Sequence, residues 1–126
     1  MDMLIDPALT AFRETVRAFL AAHLPDDIRH GAARATSVFV DPAISLPWQR
    51  ILHAQGWAAP DWPAEFGGPG WSEIQRYIFA AECARAGAPG LAPMGLKMVA
   101  PVIMHYGTPE QRAHYLPRIL SGQDYR

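Results

Sequence analysis

The sequence predicts an all-α fold of about five helices, two of them short. Three observations carry the prediction. Apolar residues recur at helical spacing in five segments. Helix-start and helix-stop residues bracket most of those segments. No alternating strand pattern of convincing length, and no internal repeat, occurs in the 126 residues.

The first helix starts at Asp6, a capping residue, with Pro7 at the first helical position. Leu9, Phe12, Val16, Phe19 and Leu20 then form an apolar stripe, while Arg13, Glu14 and Arg17 face outward; Pro25 stops the helix. Two arginines on the polar face are too few for a membrane-surface helix, so the stripe reads as core-facing. Residues 26–41 lack clear periodicity and read as a loop with at most a short helical turn. A short second helix opens at Ser45 or Leu46, with Pro47 in its first turn and Trp48, Ile51 and Leu52 on one face, and ends at Gly56. Residues 57–71 hold three Trp, three Pro and three Gly, a content that excludes regular helix or central strand. A loop this long and aromatic is functional or is packed down by its own side chains.

Ser72 caps the third helix, and Glu73 in its first turn complements the helix dipole. Ile74, Tyr77, Ile78, Ala81 and Ala84 or Arg85 fall along one side, and Ala80, Ala81, Cys83, Ala84 and Ala86 permit close approach of a neighbour. Gly87, Pro89 and Gly90 break the pattern. The fourth helix, from Leu91 or Ala92 to Tyr106, is apolar nearly all round, which implies burial on most sides. Its Pro101 removes one backbone hydrogen bond and predicts a kink near Lys97. The fifth is bracketed most completely: Thr108 at the cap, Pro109 first inside, Gln111 placed to close a capping box, and Gly122 placed to end it in a left-handed turn. It carries Tyr115, Leu116, Ile119 and Leu120, with Pro117 in its interior.

The length gives room for one domain, spanning residues 1–126, that buries roughly 65–70% of its unfolded surface. Half the residues are apolar and 18% are charged, which suits a packed domain rather than disorder. A formal charge of −1 leaves no basic footprint for nucleic acid, and Arg112 and Arg118 are too few for a recognition helix. Cys83 is the single cysteine, so no intramolecular disulfide can form; its setting of small residues reads as a buried structural thiol. The first residues are acidic where a signal peptide is basic, and no apolar run approaches the roughly 20 residues that cross a bilayer. The expectation is a cytoplasmic protein with no membrane partner.

No self-contained active site emerges. His23, His30, His53, His105 and His114 show no metal-ligand spacing; there is no nucleophile elbow, phosphate loop or dinucleotide fingerprint. The stretch Gly67, Gly68, Pro69, Gly70 reads as a tight turn. Glu65 and Glu82 read as solvated or ion-paired. Trp57, Trp62 and Trp71 are read first as a clamp on the loop and second as a ligand platform. Met94, Met98 and Met104 read first as core, with a lining role for a flexible apolar ligand as the alternative.

Two segments carry a family resemblance: G-W-A-A-P-D-W-P-A-E-F-G-G at 56–68, and G-T-P-E-Q-R-A-H-Y-L-P-R-I-L-S-G at 107–122, with the apolar helix and Pro101 between them. In this order and spacing the chain resembles the N-terminal helical domain of acyl-CoA dehydrogenases, a small orthogonal helical bundle. The resemblance implies FAD as cofactor and an acyl-CoA thioester as substrate. It also implies removal of two hydrogens across Cα–Cβ by a glutamate base of a C-terminal helical domain and by flavin N5. The N-terminal domain supplies neither group. It lends a helix to the wall of the acyl cavity, which by motif position runs from Ala92 to Tyr106, with Met94, Lys97, Met98 and Pro101 as the residues facing substrate. The sequence stops where the flavin-binding β domain would begin, so a truncated frame, a cloned domain or one half of a split enzyme is expected. This chain alone is expected neither to dehydrogenate an acyl-CoA nor to hold FAD tightly, and its partners would be the missing domains or a separately encoded subunit. Homo-oligomerisation, acyl specificity and electron acceptor are left open. The alternative is a stand-alone helical module that binds a protein partner or an apolar ligand. On the leading reading the helix near residue 100 should show a bare apolar face.

Overall fold

The computed structural model describes residues 6–34, 41–91 and 94–123, the Met94 side chain excepted. Among the described residues six α-helices follow one another: α1 (Pro7–His23), α2 (Asp26–Ala33), α3 (Pro42–Gln55), α4 (Glu73–Ala86), α5 (Ala100–Tyr106) and α6 (Pro109–Ser121). A single 3₁₀ turn at Ala64–Phe66 interrupts the loop between α3 and α4, and a π-helical segment, Met94–Val99, runs directly into α5. No strand occurs among the described residues. The predicted start of the fourth helix at Ala92, the far part of the 26–41 loop and the tail 124–126 lie outside the described residues.

The caps read from the sequence are formed. Asp6 Oδ1 accepts from the Ala8 and Leu9 amides at 2.9 and 3.4 Å. Thr108 and Gln111 exchange bonds of 3.1 and 2.9 Å in a complete capping box. Gly122 ends α6 with φ of 84°, a conformation that would strain any residue with a Cβ. Ser72 does more than cap α4, because Gln75 returns the bond and closes a second box.

Three expectations are corrected. Residues 26–33 are helical. This helix has no side-chain cap and only Ile28 buried, so it shows no periodic stripe, and packing on α3 sustains it. The helix expected from Ser45 or Leu46 begins instead at Pro42, capped by Asp41 Oδ1 at 2.8 Å from the Ala43 amide. Pro47 therefore sits inside α3, where its missing N–H leaves only the carbonyl of exposed Ala43 without its α-helical donor. On α4 the buried face carries Ile78, Phe79 and Glu82, while Tyr77, Ala81, Ala84 and Arg85 of the predicted side are exposed. Phe79 is drawn in by Trp71 and Trp57, at centroid distances of 5.0 and 5.9 Å. Glu82 is drawn in by Arg17 of α1, which stays exposed as expected but reaches across to pair with it. Glu65 is exposed, as expected.

The core joins Val16, Phe19 and Leu20 of α1 to Trp48 and Leu52 of α3 and to Leu116, Ile119 and Leu120 of α6. Helix α1 packs along α4, α3 against α2 and α6, and α5 against α6. Buried Gln49 fastens α3 to α6 by donating to the Ile119 and Leu120 carbonyls at 2.9 and 3.0 Å. These are among the last carbonyls of α6, beyond the reach of its i+4 amides; the Ile119 oxygen also accepts from the Gly122 N–H at 3.2 Å.

Candidate functional site

Two surfaces of the π segment and α5 are candidates. The first is a cleft of 390 Å³ between the Trp-rich loop, α4 and the π segment. Trp57, Trp62, Phe79, Leu91 and Leu96 supply apolar walls, and Lys97 and an Arg76–Asp61 ion pair of 3.5 Å border it. The loop stands up as a wall because its aromatics are tied down. Trp57 packs on Phe19 at 4.8 Å, and Trp71 packs on Phe12 at 5.2 Å. Trp62 is only 4% exposed, and its indole N–H donates to the Leu96 carbonyl at 2.9 Å. The clamp reading of the three Trp thus describes the loop, while Trp57 and Trp62 also form part of the cleft.

The second surface is a groove of 400 Å³ between α5 and α6, lined by Val99, Val102, Ile103, Tyr106, Tyr115 and Ile119. It opens onto a bare apolar face: Met98 and Val102 are each 56% exposed and Tyr106 is 86% exposed. The same segment buries Leu96 and Ala100 on its other side. A helix that is apolar all round has been given only half the cover its sequence calls for.

Of the residues expected to face substrate, Lys97 is exposed and lines the cleft. Met98 lies on the bare face, and Pro101 is half-buried in the first turn of α5. The Met94 side chain lies outside the described residues. Sequence reasoning missed Phe79 and Leu91 as cleft walls. It also missed the Trp62–Leu96 bond, whose only local sign is a Trp in a loop and a Pro in a helix.

Cys83 also lines the cleft, and burial, with a smaller contribution from Glu82, pushes its thiol up to about 12 from an ordinary 9.0. It is therefore an apolar wall atom rather than a nucleophile. The folded-state pKa lies above the unfolded one, so the folded state keeps a proton that the unfolded state releases. Stability from this group is intact below about pH 9 and is lost as pH rises toward 12. Chemical denaturation from pH 8 to 11 is expected to show a shallower decline for Cys83→Ala than for the unsubstituted chain. Hydrogen bonding to Glu82 raises the Arg17 pKa above its ordinary value. Among the described residues no group of three or more His, Cys, Asp or Glu could hold a metal, and no helix is long and apolar enough to cross a membrane.

The family model for the acyl-CoA dehydrogenase N-terminal domain matches residues 6–123. FadE26, an acyl-CoA dehydrogenase of Mycobacterium tuberculosis, is 49% identical over 92% of this chain. IpdE1, an acyl-CoA dehydrogenase of Mycolicibacterium smegmatis, is 36% identical over 86% of it. The chain spans 29% of the length of each of these relatives. Among solved structures, the Tcur3481-Tcur3483 steroid ACAD superposes with a TM-score of 0.74 at 35% identity, covering 97% of this chain and 31% of that one. The ChsE4-ChsE5 complex from Mycobacterium tuberculosis gives 0.73 at 33% identity, covering 97% and 30%. The chain belongs to the acyl-CoA dehydrogenase family, whose N-terminal helical domain it forms.

Proposed function

We propose that this domain serves an acyl-CoA dehydrogenase that takes a ring-bearing, steroid-type acyl thioester, and that its π segment and α5 wall the acyl cavity and dock onto the flavin-binding domain. One observation carries the reading: Met98, Val102 and Tyr106 stand bare on a segment whose opposite side is core. Water-exposed apolar surface of that extent is favourable only when something covers it. Lys97 is exposed at the border of the cleft and brings a cation to its apolar wall, where an anionic part of the acyl-CoA would meet it. The steroid preference is supported by the Tcur3481-Tcur3483 neighbour, and a heteromeric assembly by the two-component names of both solved neighbours.

FAD is the cofactor of the family, but no N-terminus of α1, α2, α3, α4 or α6 is an open site for its pyrophosphate. Helix N-termini bind phosphate through free N–H groups, and here the side chains of Asp6, Asp41, Ser72 and Thr108 already cap those of α1, α3, α4 and α6. The N-terminus of α2 begins with Asp26 and Asp27. The flavin's binding groups are therefore assigned to the other domains, and the role of this chain is to exclude water from the acyl group and shape its pocket.

The test is the complete protein, purified with any subunit encoded beside it, in a dye-reduction assay. A steroid side-chain CoA thioester is expected to exceed a straight-chain acyl-CoA by roughly tenfold in kcat/KM. Val102→Asp is expected to lower flavin retention and activity by roughly tenfold or more, since docking would bury an unpaired carboxylate. Full activity in the Val102→Asp protein would sink the docking role, and equal turnover of both thioesters would sink the steroid preference.

A further inference from the structure

We propose that Trp62 is a positioning residue for the acyl wall: its indole N–H stands in for the backbone donor that Pro101 withholds, and so holds Met94–Val99 in the π winding that brings Lys97 to the cleft. The acyl-wall part rests on the dehydrogenase reading above; the winding part does not.

A helical carbonyl at position i is met by the N–H of i+4 in α winding and of i+5 in π winding. Residue 101 is proline and has no N–H. Continuous α winding would therefore orphan the Lys97 carbonyl, whereas by the same rule π winding would offer Lys97 the N–H of Val102 and move the deficit to Leu96. The chain winds as π over Met94–Val99 and as α only from Ala100. Leu96 is buried, so water cannot make up its deficit, and Trp62 Nε1 lies 2.9 Å from its oxygen. The winding is seated from the other side as well. Gly95 is buried, and a Cβ there would lie 3.0 Å from the Ile119 side chain, tighter than an ordinary contact, so glycine lets the segment lie this close to α6 without displacing Ile119.

The winding decides what faces where. One extra residue in a turn rotates everything on one side of it by roughly 100° relative to an uninterrupted α-helix. Leu96 and Lys97 line the cleft, while Val99 and Val102 line the groove beside α6. Without the donor from Trp62 the buried carbonyl favours rewinding, and the cleft loses its present lining.

The experiment is a double-substitution cycle on the complete holoenzyme, comparing Trp62→Phe, Pro101→Ala and both together. Amide hydrogen exchange across 98–103 reports winding without reference to catalysis. Trp62→Phe is expected to speed that exchange roughly tenfold when residue 101 is proline and less than about twofold when it is alanine, whose N–H can serve Leu96. In kinetics, Trp62→Phe is expected to raise KM for the acyl-CoA roughly fivefold with kcat little changed. Equal exchange effects in both backgrounds would assign Trp62 to packing alone and overturn the proposal. Coupled exchange with an unchanged KM would overturn the acyl-wall part. Coupled exchange in a protein that dehydrogenates no acyl-CoA would keep the winding role and remove the dehydrogenase reading. Should Trp62→Phe fail to fold, benzothienylalanine at position 62 keeps the shape of the indole and deletes only the donor, and the same comparison applies.

Discussion

Trp48→Ala is expected to lower folding stability by about 3–5 kcal/mol, the range for truncating a buried Trp. Trp48 is 1% exposed and heads the fully buried large side chains. It lies beside Phe19 of α1 at a centroid distance of 6.3 Å and forms part of the cleft floor. The surrounding wall cannot collapse freely into the gap, because Trp57 and Trp62 are each pinned by other partners. For a domain whose total stability is about 5–15 kcal/mol, the loss removes a large share of the folded population at 37 °C. Thermal melting should show a midpoint lowered by roughly 12–20 °C. A drop of only a few degrees would mean that α1 and α3 do not share one core.

Gly68→Ala is the second large effect, and it acts on the loop. A Cβ on Gly68 would overlap the Trp62 carbonyl and crowd the Trp62 Cβ at 2.7 Å. The neighbour is backbone, so no side chain can swing aside, and the turn closed by Gly68 N–H to the Pro63 carbonyl at 3.1 Å must open. The expected cost is about 3 kcal/mol, at the upper end for overpacking. Gly90→Ala is the matched control: a Cβ there meets nothing within 4 Å, and the substitution is expected to change stability by less than about 1 kcal/mol. Urea denaturation of the two variants side by side checks both. Comparable midpoints would show that the loop yields at position 68 more easily than its packing implies.

Much of the architecture was legible because helix ends are local. Asp6 with Pro7, Ser72, Thr108 with Gln111, and Gly122 all act within a few residues of themselves, and all were read correctly. The stripe on α1 was legible because its members are the large apolar side chains of that helix, while its exposed positions are polar residues, alanines and Pro7. The stripe on α4 was misread because a member of its buried face is a carboxylate. Glu82 belongs inside only when Arg17, 65 residues away, reaches over to it. Helix α2 escaped because a helix with one buried side chain and no cap has no periodic signature. The bare face around Val102 followed from an apolar helix in a domain too small to surround it.

The sequence by itself determined the helical class, most of the helix ends and the family. Each of those depends on residues that are neighbours along the chain or on motifs in fixed order. Tertiary structure alone decided which face of α4 turns inward, which side chain reaches the carbonyls at the end of α6, and which donor answers the deficit created by Pro101. Those answers come from Arg17, Gln49 and Trp62, acting on groups 34 to 71 residues away. A buried polar group takes a partner wherever packing brings one, and packing has no fixed spacing along the chain.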